Sequence, residues 1–196
     1  MIDKSPFGQI GFKKHERKRL RKVADHRPSR SGLCAISVAI GVLAGFANMY
    51  LGIDFPLRAS LFSWLLVAIL VVVALHEGTH GAVAALLGHK PLFGVSPPLV
   101  YITFPGKVPR GHYMLVAIAP FVMLTPLFAF LYARGALKLF WHLSLLTNVI
   151  GSVGDLWAVI KLAGAPKGAW IQDTKTGFEV WLTNEAQPGP ESQKEN

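Results

Sequence analysis

The stretch VVVALHEGTHGAVAALLG, residues 71–88, sets two histidines and a glutamate within five positions of an otherwise apolar run. His76 and His80 are four residues apart, so on a helix they share a face and can grip one metal ion together. Glu77 lies about 100° round the helix, where it flanks the ion and can hold a water molecule instead. This is the H-E-x-x-H pattern of metal-dependent hydrolysis, in which the ion acidifies a water and the carboxylate takes its proton. Chance produces such a string in roughly one chain in a hundred of this composition. Glu77 is also the only acidic residue between Asp54 and Asp155. Ionisable groups are costly in an apolar setting, and their presence there marks function.

Two histidines do not complete a hydrolytic zinc site, which usually has three protein ligands. Asp155 is the best candidate for the third. Counted from Ala59 and Lys138, where the second and fourth apolar segments begin, His76 and Asp155 are equally far along their helices, about 25 Å at 1.5 Å per residue. Asp173 is a weaker candidate and reads more simply as a turn residue. Gly78, Gly81, Gly151, Ser152 and Gly154 flank the candidate ligands and are expected to let the two helices approach closely. Asn148, two turns before Asp155 and on its face, suits orientation of a ligand, a bond to substrate backbone or a plain interhelical hydrogen bond. His142 is expected near the opposite surface, at the interface. His89 and His112 bracket a proline-rich loop and are weaker candidates for a supporting role.

The elements that must position these residues read as an all-α membrane protein. Of 196 residues, 52% are hydrophobic and 16% charged, gathered into long apolar blocks. Four blocks are each long enough to cross about 30 Å of hydrocarbon: Gly32–Ile53, Ala59–Leu87, Tyr113–Ala133 and Lys138–Leu162. Pro120 and Pro126 should bend the third. A short strand or hairpin is expected after the second helix, in PLFGVSPPLVYITFPGKVPRG (91–111). A small hairpin is expected in AWIQDTKTGFEVWL (169–182). The reading divides the chain into a basic cytoplasmic arm (1–31), a transmembrane core (32–163), the C-terminal hairpin (164–183) and a disordered tail (184–196). Cys34 reads as a small buried hydrophobe.

The net charge of +9 is concentrated at the start, where residues 1–30 hold ten Lys/Arg against Asp3, Glu16 and Asp25. Immediately before an apolar span, KKHERKRLRK (13–22) reads as an anchor for anionic lipid and an orientation signal. It does not read as a nucleic-acid arm, because no aromatic residue between Phe12 and Phe46 is available to stack on bases. The expectation is a multi-pass protein of the plasma (inner) membrane with both termini cytoplasmic.

The order HEGTHGAVAALLG, KPLFGV, LVAIAPFVMLTP and NVIGSVGDLW resembles a small family of membrane proteins described as zincin peptidases of unknown function. It is similar, more distantly, to the site-2 proteases, which cut substrates within or beside the membrane. The resemblance implies Zn²⁺ held by His76, His80 and Asp155, with Glu77 as catalytic base. It departs from the site-2 pattern in lacking a proline between Asn148 and Asp155 and in having Leu156 after the aspartate, and no appended peptide-binding domain is expected. The leading expectation is a membrane-embedded zinc-dependent peptidase acting on a membrane protein or peptide. Two other classes stay open at the sequence level: a metal- or haem-binding transporter or electron carrier, and an inactive scaffold derived from a peptidase.

Overall fold

The computed structural model describes residues 20–50, 59–96, 99–174 and 177–183. In chain order the elements are β1 (Leu20–His26), α1 (Arg30–Tyr50), α2 (Ala59–Leu86), β2 (Leu92–Ser96), β3 (Leu99–Thr103), β4 (Val108–Pro109), α3 (Arg110–Ala133), α4 (Lys138–Gly151), α5 (Val153–Ala163), β5 (Trp170–Thr174) and β6 (Gly177–Thr183). Among the described residues three stretches are long and apolar enough to cross a membrane: Phe62–Leu86, Arg110–Ala133 and Lys138–Ala163, the last comprising α4 and α5. The first apolar block forms α1, whose apolar stretch Ser31–Phe46 is shorter than these.

Helix α2 shows how an all-apolar sequence still chooses a face. Ala68, Val72, His76, His80 and Ala84, spaced by four, are all buried. Phe62, Leu66 and Leu70 form a second stripe that is exposed, as expected where the surrounding medium is hydrocarbon. The two histidines therefore extend an apolar packing stripe. Ala68 packs with Phe140 and Leu143 of α4, Val72 with Leu124 and Phe128 of α3, and Ala84 with Phe104, Val108 and Val116.

The fourth segment is divided at Ser152, although the helical bonds Ser152 N–H to Asn148 O and Leu156 N–H to Ser152 O, both 2.9 Å, run through the junction. Helix α4 stops at Gly151, and α5 starts at Val153. Two serines bond back to carbonyls four residues earlier, Ser144 to Phe140 and Ser152 to Asn148, each at 2.8 Å. Such back-bonding competes with the backbone ladder and bends helices. Asp155 consequently sits in the first turn of a new helix.

Small residues do bring helices together, though not the glycines singled out in the sequence. A Cβ on Gly78, Gly151 or Gly154 would meet nothing within 4 Å. Close packing falls instead to Ala68, Ser144 and Ser152, all with no exposed surface. Gly81 has a different use: it makes room for the side-chain ends of Ile102 and Phe93, each 3.1 Å from where a Cβ would lie.

The β-structure is more extensive than two hairpins. β2 and β3 do form an antiparallel pair, with Phe93 opposite Ile102 and Gly94 opposite Tyr101. The C-terminal strands, however, are the centre of a four-stranded antiparallel sheet ordered β1-β6-β5-β4. β1 comes from the stretch grouped with the basic arm, and pairing accounts for it. Lys22, opposite Trp181 in the register, reaches diagonally across to Glu179 with an ion pair of 2.8 Å, and Asp25 joins Lys22 and Arg27. Charges that looked like one basic block are partly cross-strand partners. Residues 1–19 of the arm and the tail 184–196 lie outside the described residues.

The sheet packs on the ends of α3 and α5 through Ile171, Phe178, Val180, Ala158 and Leu162. Arg110 ties the parts together, its guanidinium donating to the carbonyls of Leu162 (2.6 Å) and Ala163 (3.0 Å) at the end of α5. A cation at a helix C-terminus satisfies carbonyls that have no intrahelical donor.

Candidate metal centre

His76, His80 and Asp155 converge: each offers one ligand atom, and all these atoms lie within 4.8 Å of one another. His76 Nε2 is 3.0 Å and His80 Nε2 3.5 Å from the same oxygen, Oδ2 of Asp155. The imidazoles are 8% exposed, and the rings stand edge to face with centroids 4.8 Å apart.

The opposite nitrogens explain why Nε2 faces the centre in both rings. His80 Nδ1 donates to the Val116 carbonyl at 2.7 Å. His76 Nδ1 donates to Asn148 Oδ1 at 3.1 Å. Both acceptors are oxygens without a proton, once the Asn148 amide has used its NH₂ group to donate to Pro120 O (3.3 Å) and Thr125 Oγ1 (3.1 Å). A neutral imidazole with its proton on Nδ1 has a bare Nε2. Two ring nitrogens and a carboxylate oxygen thus face one another in a buried space, where a proton shared with Asp155 or a metal cation among them relieves the crowded lone pairs. A tetrahedral zinc ion keeps ligand atoms about 3.4 Å apart, close to the 3.0 and 3.5 Å found here. Two imidazoles and one carboxylate are also a donor set suited to zinc. The residues present fit a zinc ion.

Glu77 follows His76 on α2 and lies beside Ile102 of β3. A cavity of about 140 Å³ opens beside it, lined by Glu77, His80 and Asp155 on one side and by Tyr101, Tyr113 and Asp173 on the other. Gly94 shapes the far wall, since a Cβ there would collide with the Tyr101 ring.

Asp173 is no ligand; it is a clasp. Its carboxylate accepts from Tyr113 Oη (2.6 Å), Thr103 Oγ1 (3.2 Å) and the backbone N–H of Phe104 (3.2 Å). It joins α3, the end of β3 and β5 at the rim of the cavity. Burial pushes this carboxyl above its ordinary value, and the three hydrogen bonds oppose the rise.

The remaining histidines stand apart from the cluster. His142 is buried in the bundle near the end of α3, packed against Tyr132 with ring centroids 5.5 Å apart. His89 and His112 pair with each other, Nε2 to Nδ1 at 2.9 Å, linking the end of α2 to the start of α3. Burial and the neighbouring ring hold His89 below the ordinary imidazole value. Cys34, expected to be buried, is exposed on α1. Sequence reasoning missed Tyr101, Tyr113 and the Val116 carbonyl, none of which has an unusual residue type.

The chain is similar to a curated protein of Pyrococcus woesei, the "Uncharacterized 24.7 kDa protein in gap 5'region", with 27% identity over 149 residues. The alignment covers 74% of this chain and 66% of that relative, so the chain spans just under two thirds of its length. No solved structure matches. The model of the family described as "Putative zincin peptidase" matches residues 69–170, more than half of the chain, from the middle of α2 through the metal cluster to the first residue of β5. The chain belongs to this zincin peptidase family.

Proposed function

We propose that this protein is a membrane-embedded zinc-dependent peptidase that hydrolyses peptide bonds of membrane or membrane-proximal substrates. The observation that carries the reading is the convergence of two bare Nε2 atoms and Asp155 Oδ2 beside a cavity that Glu77 also lines. His76, His80 and Asp155 hold the ion, and Asn148 orients His76. When bound, zinc supplies Lewis acidity toward the substrate carbonyl.

Glu77 takes a proton from the attacking water on its carboxylate and delivers it to the leaving amine nitrogen as the C–N bond breaks. Val116, Ala117 and Phe104 make the adjoining wall apolar and keep bulk water from the reacting groups. Ile102 of β3 lines the same cavity as Glu77, and the edge of β3 away from β2 is the one offered to substrate. An extended substrate segment pairs there as an added strand. A helical segment hides its carbonyls, so the substrate is locally unwound.

The topology that accompanies this reading has four crossings, α1, α2, α3 and the α4–α5 pair, with residues 32–163 as the membrane core. Both termini are cytoplasmic, and the basic residues of 1–31 lie against anionic lipid. The site then opens toward the cytoplasmic face of the inner membrane.

The test is a pair of measurements on protein reconstituted in bilayer discs: bound metal, and cleavage of extended membrane-proximal peptides. Glu77→Gln is expected to keep one zinc per chain and to lose about 10²–10⁴-fold in rate, the usual worth of a positioned acid-base group. Cleavage by Glu77→Gln at the wild-type rate overturns the mechanism, and iron or copper in place of zinc would favour a carrier.

A further inference from the structure

An α-helix gives each carbonyl an N–H four residues further on, and proline has no N–H to give. Pro120 therefore leaves the Val116 carbonyl without its donor inside α3. That carbonyl is the acceptor for His80 Nδ1 at 2.7 Å. The carbonyl of Pro120 itself receives Asn148 Nδ2 at 3.3 Å, and the same NH₂ group reaches Thr125 Oγ1 at 3.1 Å. With its nitrogen so engaged, Asn148 turns Oδ1 to His76 Nδ1. The support of both imidazoles thus traces to one residue, through a hydrogen bond it withholds from Val116 and one its own carbonyl accepts from Asn148. Val116, Pro120, Asn148 and both histidines are all buried, so no solvent competes for these groups.

We propose that Pro120 is a positioning residue for the metal centre. By withholding an N–H it reserves the Val116 carbonyl for His80, and by its own carbonyl it seats Asn148 against His76, so that both rings carry their proton on Nδ1 and present Nε2. The inference rests on the peptidase reading only in taking His76 and His80 as ligands. Its substance is that the missing hydrogen at position 120, and not the bend a proline puts in a helix, is what the site uses. An alanine at 120 restores the N–H, which then closes on Val116 in the ordinary helical way. His80 must then share its buried acceptor with that N–H, which weakens the hold on the Nδ1 proton and favours the tautomer whose Nε2 has no lone pair for the metal.

The experiment uses the full chain in detergent, stripped of metal, and reads zinc affinity by competition with a chromophoric chelator. Cobalt absorption reports ligand geometry, and thermal unfolding of the metal-free form reports the fold. Pro120→Ala is expected to weaken zinc about 10–100-fold, the usual loss when an outer partner of a ligand is removed. Its metal-free midpoint should be equal to or above wild type, since alanine suits a helix better than proline. An ester analogue with lactic acid at 120 has alanine's methyl group and no N–H, and should recover zinc affinity to within about threefold of wild type. Pro126→Ala removes the other proline of α3. The carbonyl it re-engages, that of Val122, belongs to a residue 55% exposed, so zinc affinity should hold.

Equal zinc affinity in wild type and Pro120→Ala overturns this inference alone. An ester analogue as weak as alanine also overturns it, because the bend would then be the cause. So does a Pro120→Ala protein whose metal-free form melts lower in proportion. A wild-type chain that takes up no zinc overturns the peptidase reading and this inference with it.

Discussion

His76 and Asp155 are 79 positions apart in the chain, and Nε2 of one stands 3.0 Å from Oδ2 of the other. The contact joins the middle of α2 to the first turn of α5. The same oxygen lies 3.5 Å from His80, so one carboxylate oxygen serves both imidazoles.

Removing that oxygen separates ligand from support. Asp155→Ala is expected to lower zinc affinity by more than the roughly 10–100-fold that loss of an outer partner costs, because a ligand itself is gone. Chelator competition checks this, and a variant that binds zinc as wild type does would remove Asp155 from the ligand set.

Asn148 gives the contrasting case. Asn148→Ala leaves all three ligand atoms in place but takes the acceptor from His76 and the donor from Pro120 and Thr125. Zinc affinity should fall about 10–100-fold, and the metal-free protein should lose roughly 1–3 kcal/mol because buried polar groups are left unsatisfied. Unchanged affinity with lowered stability would make Asn148 a packing residue only.

Which side chains meet was legible in the chain because the signals are strong. The i, i+4 spacing of His76 and His80 requires a shared helix face, and a lone aspartate in an apolar run requires a partner. The helix starts at Ala59 and Lys138 could be read from the limits of the apolar blocks. The division at Ser152 was not legible, because serine back-bonding is decided by local competition that residue type does not reveal. β1 was hidden under its own charge: Lys22 and Asp25 look like a solvated arm until Glu179, far along the chain, is paired with them. The support of His80 did have a signal, a proline four residues beyond Val116, but the carbonyl it frees has no letter in the sequence.

The cavity wall offers a test that leaves the metal alone. Gly94→Ala puts a methyl group into the Tyr101 ring, and the ring must move. Overpacking of this kind costs about 1–3 kcal/mol, and the displaced ring changes the wall opposite Glu77. Zinc content should stay at the wild-type level while peptide cleavage falls. A parallel loss of zinc would show that the β2–β3 hairpin supports the ligands as well as the substrate.

Asp173 makes stability depend on pH in a direction that can be worked out. Burial raises its carboxyl above the ordinary 3.8, so the folded protein binds this proton more tightly than the unfolded chain does. The group's favourable contribution is therefore complete below 3.8 and is lost as pH rises through the higher folded value. Asp173→Asn cannot titrate, and its amide oxygen still accepts from Tyr113, though its NH₂ group can accept from neither Thr103 nor Phe104. Thermal midpoints measured from acid to neutral pH should show the wild type losing ground to Asp173→Asn as pH rises, with the difference levelling once the wild-type carboxyl is ionised. If the wild type instead gains on the variant with rising pH, the three donors around Asp173 outweigh its burial and the clasp is built for the anion.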